Sequence, residues 1–70
     1  MQFVINGHPR EFVDLAAAAS VADLVATLGL KGDRVAIEHN GSIVSRADWA
    51  ETAVNEGDKF EIVHFVGGGA

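Results

Sequence analysis

The chain contains no cysteine and no tyrosine, one proline, one tryptophan and five basic residues in 70. Without cysteine it can form no disulfide, hold no thiolate-bound zinc or iron–sulfur cluster, and offer no catalytic thiol. The same absence fits a reducing, cytoplasmic setting. No apolar run approaches the ~18 residues that a membrane-spanning helix needs. The first residues lack the charged start and long apolar stretch of a secretory signal, so none is expected. Arg10, Lys31, Arg34, Arg46 and Lys59 are scattered along the chain. Phosphate backbones are bound by clustered cations, so a nucleic-acid partner is not expected.

What is present points to one small folded unit. Apolar residues make up 49% of the chain, enough for a core and far from the composition of disorder. At 70 residues that core is modest and belongs to a single domain. The formal net charge is −5, which suits docking on a basic protein surface.

Hydrophobic period and turn residues order the chain. Gln2 to Asn6 alternates as a strand, with Phe3 and Ile5 on one face and Val4 on the other. Asn6-Gly7-His8-Pro9 is turn chemistry, and Arg10 to Val13 reads as the second arm of a hairpin. Ser20-Val21-Ala22-Asp23 has the form of a capping box. Val21, Leu24, Val25 and Leu28 then follow at helical spacing, and Gly29 sits where a left-handed residue would end the helix. A helix over about 20–28 is predicted, with an earlier start in the alanine run left open.

After a polar loop, a third strand from Val35 ends at the Asn40-Gly41 turn, and Ser42 to Val44 forms a short fourth. Arg46 to Thr52 reads as a helical turn anchored by Trp49, with Val54 nearby. Glu56-Gly57-Asp58 is a turn, and Lys59 to Val66 is the last strand. Strands with one covering helix make an α+β fold, with the last strand in the sheet centre beside the first.

Gly67, Gly68 and Gly69 have no side chains to pack, and Ala70 follows them. The expected organisation is a domain over 1–66 and a flexible glycine tail over 67–70. A frayed end is one reading. The functional alternative uses the absence of Cβ atoms: a slim tail reaching ~15 Å could thread a narrow channel and present a carboxylate inside another protein.

End to end, the chain resembles the ThiS family, the sulfur carriers of thiamine biosynthesis. The resemblance rests on Ile5-Asn6-Gly7, the segment from Val35 to Gly41, and Val44-Ser45-Arg46-Ala47-Asp48-Trp49-Ala50, which matches an Arg-x-x-Trp stretch. Glu56-Gly57-Asp58, Glu61-Ile62-Val63 and Phe65-Val66-Gly67-Gly68-Gly69 complete it. It implies a ubiquitin-like β-grasp: a mixed sheet of four to five strands with one main helix on one face.

The resemblance also implies a carrier rather than an enzyme. A ubiquitin-activating-like adenylyltransferase would use ATP and magnesium to activate the C-terminal glycine carboxylate. A persulfide sulfur donor would convert it to a thiocarboxylate, and thiazole synthase would take the sulfur. The activated end maps to Gly69 and Gly68, with Gly67 in the tail; the chain itself binds no cofactor or metal and is a monomer when free. Because this sequence continues to Ala70, activation at Gly69 requires removal of that residue, or use of the alanine carboxylate itself. Three other readings stay open: a molybdopterin synthase small subunit, a ubiquitin-like protein modifier, and a plain interaction module.

Val63 and Phe65 alternate away from Phe60 and Ile62 on the last strand. With one helix to cover one face, they and Val4 would form an exposed apolar patch, which together with Val66 is the candidate partner-docking site. His8, His39 and His64 lack metal-ligand spacing; His8 falls in a turn, and His64 shares a face with Phe60 at the core's edge. Arg46 is expected to bond local carbonyls and Trp49 to plug the core. Asp48, Glu51 and Glu56 read as a solvated face.

Overall fold

The structure, a computed structural model, describes residues 1–65. The elements in chain order are strands β1 (Gln2–Ile5) and β2 (His8–Glu11), helix α1 (Val21–Thr27), strands β3 (Val35–His39) and β4 (Ser42–Val44), and strand β5 (Lys59–His64). Short 3-10 segments at Gly32–Arg34 and Arg46–Glu51 fill the connections. The five strands form one sheet in the order β2-β1-β5-β3-β4. β1 and β5 run parallel in the centre, and the other neighbours are antiparallel. This is the α+β arrangement expected, with the last strand beside the first.

Turn chemistry sets both hairpins. Asn6 and Gly7 take φ of 51° and 82°, and Asn40 and Gly41 take 50° and 91°. Two successive left-handed residues close a tight turn whose twist matches the flanking strands. Pairing therefore resumes at once, and His8 and Pro9 lie in β2 rather than in the turn. Pro9 is tolerated because β2 is an edge strand.

The helix starts at its capping box and not in the alanine run. Ser20 Oγ accepts from the Asp23 N–H at 3.2 Å, and the Asp23 carboxylate accepts from the Ser20 N–H at 2.9 Å. Helix propensity loses over 16–19 because the chain there is needed elsewhere. Val54 N–H donates to the Ala19 carbonyl, Val21 N–H donates to that of Thr52, and Ser20 bridges Ala53. Those bonds hold Ser20 extended (φ −109°, ψ 173°), a conformation that lets the helix begin only after it. The helix ends at Leu28, with Gly29 at φ 73°.

Alternation along the strands builds the core. Phe3 and Ile5, Phe60 and Ile62, and Val35 and Ile37 point to one face and are buried. Val21, Leu24 and Val25 of α1 cover them, with Trp49 and Val54 closing the side. Phe3 meets Phe60 edge to face at 5.4 Å between ring centroids. Trp49 packs as expected, and its indole N–H donates to the Val44 carbonyl at 3.0 Å. Arg46 differs from expectation. Among the described residues it bonds no local carbonyl; its guanidinium lies beside Gly32, where an added Cβ would sit 3.2 Å from the Trp49 ring.

Candidate functional site

The face of the sheet opposite α1 carries no covering element among the described residues, and the C-terminal strand crosses its centre. On that face β5 presents Lys59, Glu61 and Val63, with Phe65 following the strand. The register places Ala36 opposite Val63 and Glu38 opposite Glu61, and Ile43 of β4 opposite Glu38. Val63 is 59% exposed and Phe65 54%. Ile43, at 70%, is more exposed than either and was not anticipated. The sequence did hold a signal: alternation in a three-residue strand sends Ile43 and Val44 to opposite faces.

Val4 lies on the same face but apart from that pair. Its partner on β5 is Lys59, four residues before Val63 and ~13 Å away along the strand. It borders a shallow hollow shared with Glu38, Lys59 and Glu61. The open face is thus apolar at the end where the chain leaves the sheet, with Val63, Phe65 and Ala36. It is mixed and acidic at the other end, where Glu38 and Glu61 stand side by side. Among the described residues neither glutamate has a cation within ion-pair distance.

The exit of β5 is held from both sides. Phe65 N–H donates to the Arg34 carbonyl at 2.8 Å on the β3 side. On the β1 side the Asn6 carboxamide accepts from the Ile62 N–H at 2.7 Å and donates to the Ile62 carbonyl at 3.2 Å. The candidate residues Val66, Gly67, Gly68 and Gly69, and Ala70 after them, lie outside the described residues.

The other singled-out side chains serve the fold. His39 Nε2 meets Asp58 Oδ2 at 2.7 Å, and its ring stacks on Phe60 with centroids 4.8 Å apart. Burial alone would raise the Asp58 carboxyl. Hydrogen bonds from His39, the Asn55 N–H and the Asn40 amide outweigh it and hold that carboxyl below the ordinary carboxylate range. His8 and His64 are exposed; His64 rims a cleft with Arg10, Leu30 and the core residues Ile5 and Ile62, and so stands at the core's edge as expected. No group of three His, Asp or Glu side chains is arranged to hold a metal among the described residues. Asp48 and Glu51 are solvated, whereas Glu56 accepts from the Gln2 N–H with both oxygens, at 3.1 and 3.0 Å. Among the described residues no helix is long and apolar enough to cross a membrane.

The ThiS family profile matches residues 3–69. The chain is similar over 99% of its length to the whole of the crystal structure of the thiamine biosynthesis protein ThiS from Geobacter metallireducens, at 34% identity and a TM-score of 0.81. It is 46% identical, over all 70 residues, to 21% of a thiazole synthase from Paramagnetospirillum magneticum. Over 71% of its length it is 38% identical to the sulfur carrier protein ThiS of Bacillus subtilis, covering 76% of that protein. The chain spans about a fifth of the length of the thiazole synthases it matches. A mixed five-stranded sheet under one main helix, with a bare face beside the exit of its last strand, is a ubiquitin-like β-grasp module. The chain belongs to the ThiS family.

Proposed function

We propose that this chain is a sulfur carrier for thiazole formation in thiamine biosynthesis, acting through its C-terminal glycines and docking through the open face of its sheet. The observation that carries the reading is the arrangement at the end of β5. A central strand delivers the chain to the rim of the bare face, with exposed Val63 and Phe65 at the exit and a glycine run following. A partner seated on that face has the tail within reach of its active site.

The chemistry belongs to the partners. The Gly69 carboxylate attacks the α-phosphorus of ATP on an adenylating enzyme that supplies magnesium, and pyrophosphate leaves. The terminal sulfur of a persulfide attacks the acyl carbon and displaces AMP. A thiol then cleaves the resulting acyl disulfide, leaving a thiocarboxylate on Gly69. Thiazole synthase accepts that sulfur. Gly68 and Gly67 let the tail enter narrow channels, since neither carries a Cβ. The carrier contributes no base or nucleophile; its reacting atoms are the carboxylate itself. Removal of Ala70 exposes the Gly69 carboxylate.

Val63 and Phe65 form the apolar part of the docking surface at the exit of β5, Ile43 adds an apolar side chain in the row of Glu38 and Glu61, and Val66 is the candidate that follows Phe65 in sequence. Glu38 and Glu61 suit a basic side chain on the partner, and Val4 lies at the far edge. The match of the chain to one fifth of longer thiazole synthases supports the pairing, since there a similar segment shares a polypeptide with the rest of such a protein.

Intact mass spectrometry tests the reading. The chain, ending at Gly69 or at Ala70, is incubated with an adenylating enzyme, ATP and a persulfide donor. A mass gain equal to exchange of one oxygen for sulfur, abolished by deleting Gly69, is expected. No gain on either form, from an enzyme that loads an established carrier, overturns it.

A further inference from the structure

Asn6 does more than make a turn. The parallel ladder between β1 and β5 ends at the pair Ile5 and Phe60, because the chain reverses at Asn6 and Gly7. In β5, residues 61, 63 and 65 turn their backbone groups toward β3, where Phe65 N–H meets the Arg34 carbonyl. Those of Ile62 therefore face β1, where no strand remains. Ile62 is 8% exposed, so an unpaired N–H and C=O there would be costly. The Asn6 side chain replaces the missing peptide: its carbonyl oxygen takes the Ile62 N–H at 2.7 Å, and its amino group reaches the Ile62 carbonyl at 3.2 Å. The Asn6 main-chain N–H adds a third bond, to the Phe60 carbonyl at 2.9 Å.

Two requirements meet at this position. The backbone must tolerate φ of 51°, and the side chain must offer one acceptor and one donor at peptide spacing. Glycine meets the first alone. Aspartate meets the first and half of the second, because an ionised carboxylate only accepts. Asparagine meets both.

We infer that Asn6 is a positioning residue that fixes the root of the C-terminal tail, setting where and in which direction the chain leaves the sheet. The inference rests on the carrier reading for its consequence. A reacting carboxylate must reach a partner's active site at a set distance from the docked face, and small misplacement at that distance slows chemistry strongly. Without the carboxamide, the exit of β5 is paired on one side only. Its last residues can then peel from the sheet, and the tail starts from a variable point.

The test uses the full chain with Asn6→Gly and Asn6→Asp, and Ser20→Ala as a variant weakened far from the exit. Backbone hydrogen exchange reads the hold directly. In Asn6→Gly the Ile62 amide should exchange at least ~10-fold faster relative to Phe3 and Leu24, from loss of its hydrogen bond. In Asn6→Asp it should stay close to wild type, since the acceptor is kept. Sulfur loading by the adenylating enzyme reads the consequence. The saturated rate should fall severalfold in Asn6→Gly with the half-saturating concentration unchanged, and Ser20→Ala should load like wild type. Uniform acceleration of all core amides in Asn6→Gly, or wild-type loading at saturation despite faster Ile62 exchange, overturns the inference. If wild type itself takes no sulfur from an enzyme that loads an established carrier, the carrier reading falls. The exchange arm then alone decides whether Asn6 holds the strand.

Discussion

The two faces of one sheet are made by the same strands and do opposite work. On the covered face, Phe3, Ile5, Ile37, Phe60 and Ile62 are buried under α1. On the open face the alternate residues are Val4, Ala36, Glu38, Glu61 and Val63, none of them buried. The difference is one step of alternation per residue, so neighbouring positions belong to different faces. Burial of apolar area on the first face holds a 70-residue chain together without disulfide or metal-binding cysteine. The second face keeps apolar area in water, which has a purpose only if something else covers it.

The comparison can be broken from the covered side first. Phe60→Ala removes the ring that meets Phe3 edge to face and stacks on His39, and should cost ~3–5 kcal/mol. In a domain this small that loss should leave a large unfolded fraction, read by urea titration of tryptophan fluorescence. A loss below ~1 kcal/mol would mean the covered face is not the source of stability.

A smaller effect is expected at the rim of the core. Asp58 binds His39, Asn40 and the Asn55 N–H, so Asp58→Asn should cost ~1.5–3 kcal/mol at neutral pH. Its carboxyl is held below the ordinary range when folded. Its contribution is therefore complete above the ordinary carboxylate pKa of about 3.9 and is lost as pH falls through the lowered folded value. Wild type should lose stability over that acidic window, and the Asp58→Asn profile should be flatter there. Parallel acid limbs for the two proteins would contradict this account.

The helix cap comes next. Ser20→Ala removes the side-chain acceptor for the Asp23 N–H and should cost ~1 kcal/mol, seen as a lower urea midpoint with an unchanged slope. The smallest stability effects belong to the open face. Val63→Asp and Phe65→Asp should each change stability by under ~1 kcal/mol. Both should weaken binding to the adenylating enzyme and to thiazole synthase by at least ~10-fold, measured by calorimetry. Normal folding with full affinity for both partners would remove this face from the docking reading and leave the comparison without a functional side.

Legibility in the sequence followed the same division. The covered face was readable because alternation and helical spacing are local patterns: Phe3 with Ile5, Phe60 with Ile62, Val21 with Leu24 and Val25. The exposed pair Val63 and Phe65 followed from the same alternation. Ile43 is signalled only by a single step of alternation against Val44 in a three-residue strand, and Val4 is grouped with Val63 when the last strand is placed beside the first without a direction or a register. His8 was placed in a turn that needs only two residues. The glycines of the tail lie outside the described residues, and their reading rests on the sequence.

What the amino-acid order determined alone is whatever a few adjacent residues can enforce. Asn6-Gly7 and Asn40-Gly41 reverse the chain because both residues of each pair accept left-handed backbone. Ser20 with Asp23 starts the helix, and Gly29 follows its end. Only the tertiary structure decided which distant groups meet. It placed β5 between β1 and β3, Asp58 on His39, Glu56 on the Gln2 amide and Asn6 on Ile62. These contacts join residues 19 to 56 apart, and their partners are chosen by the packing of the whole core rather than by any local preference.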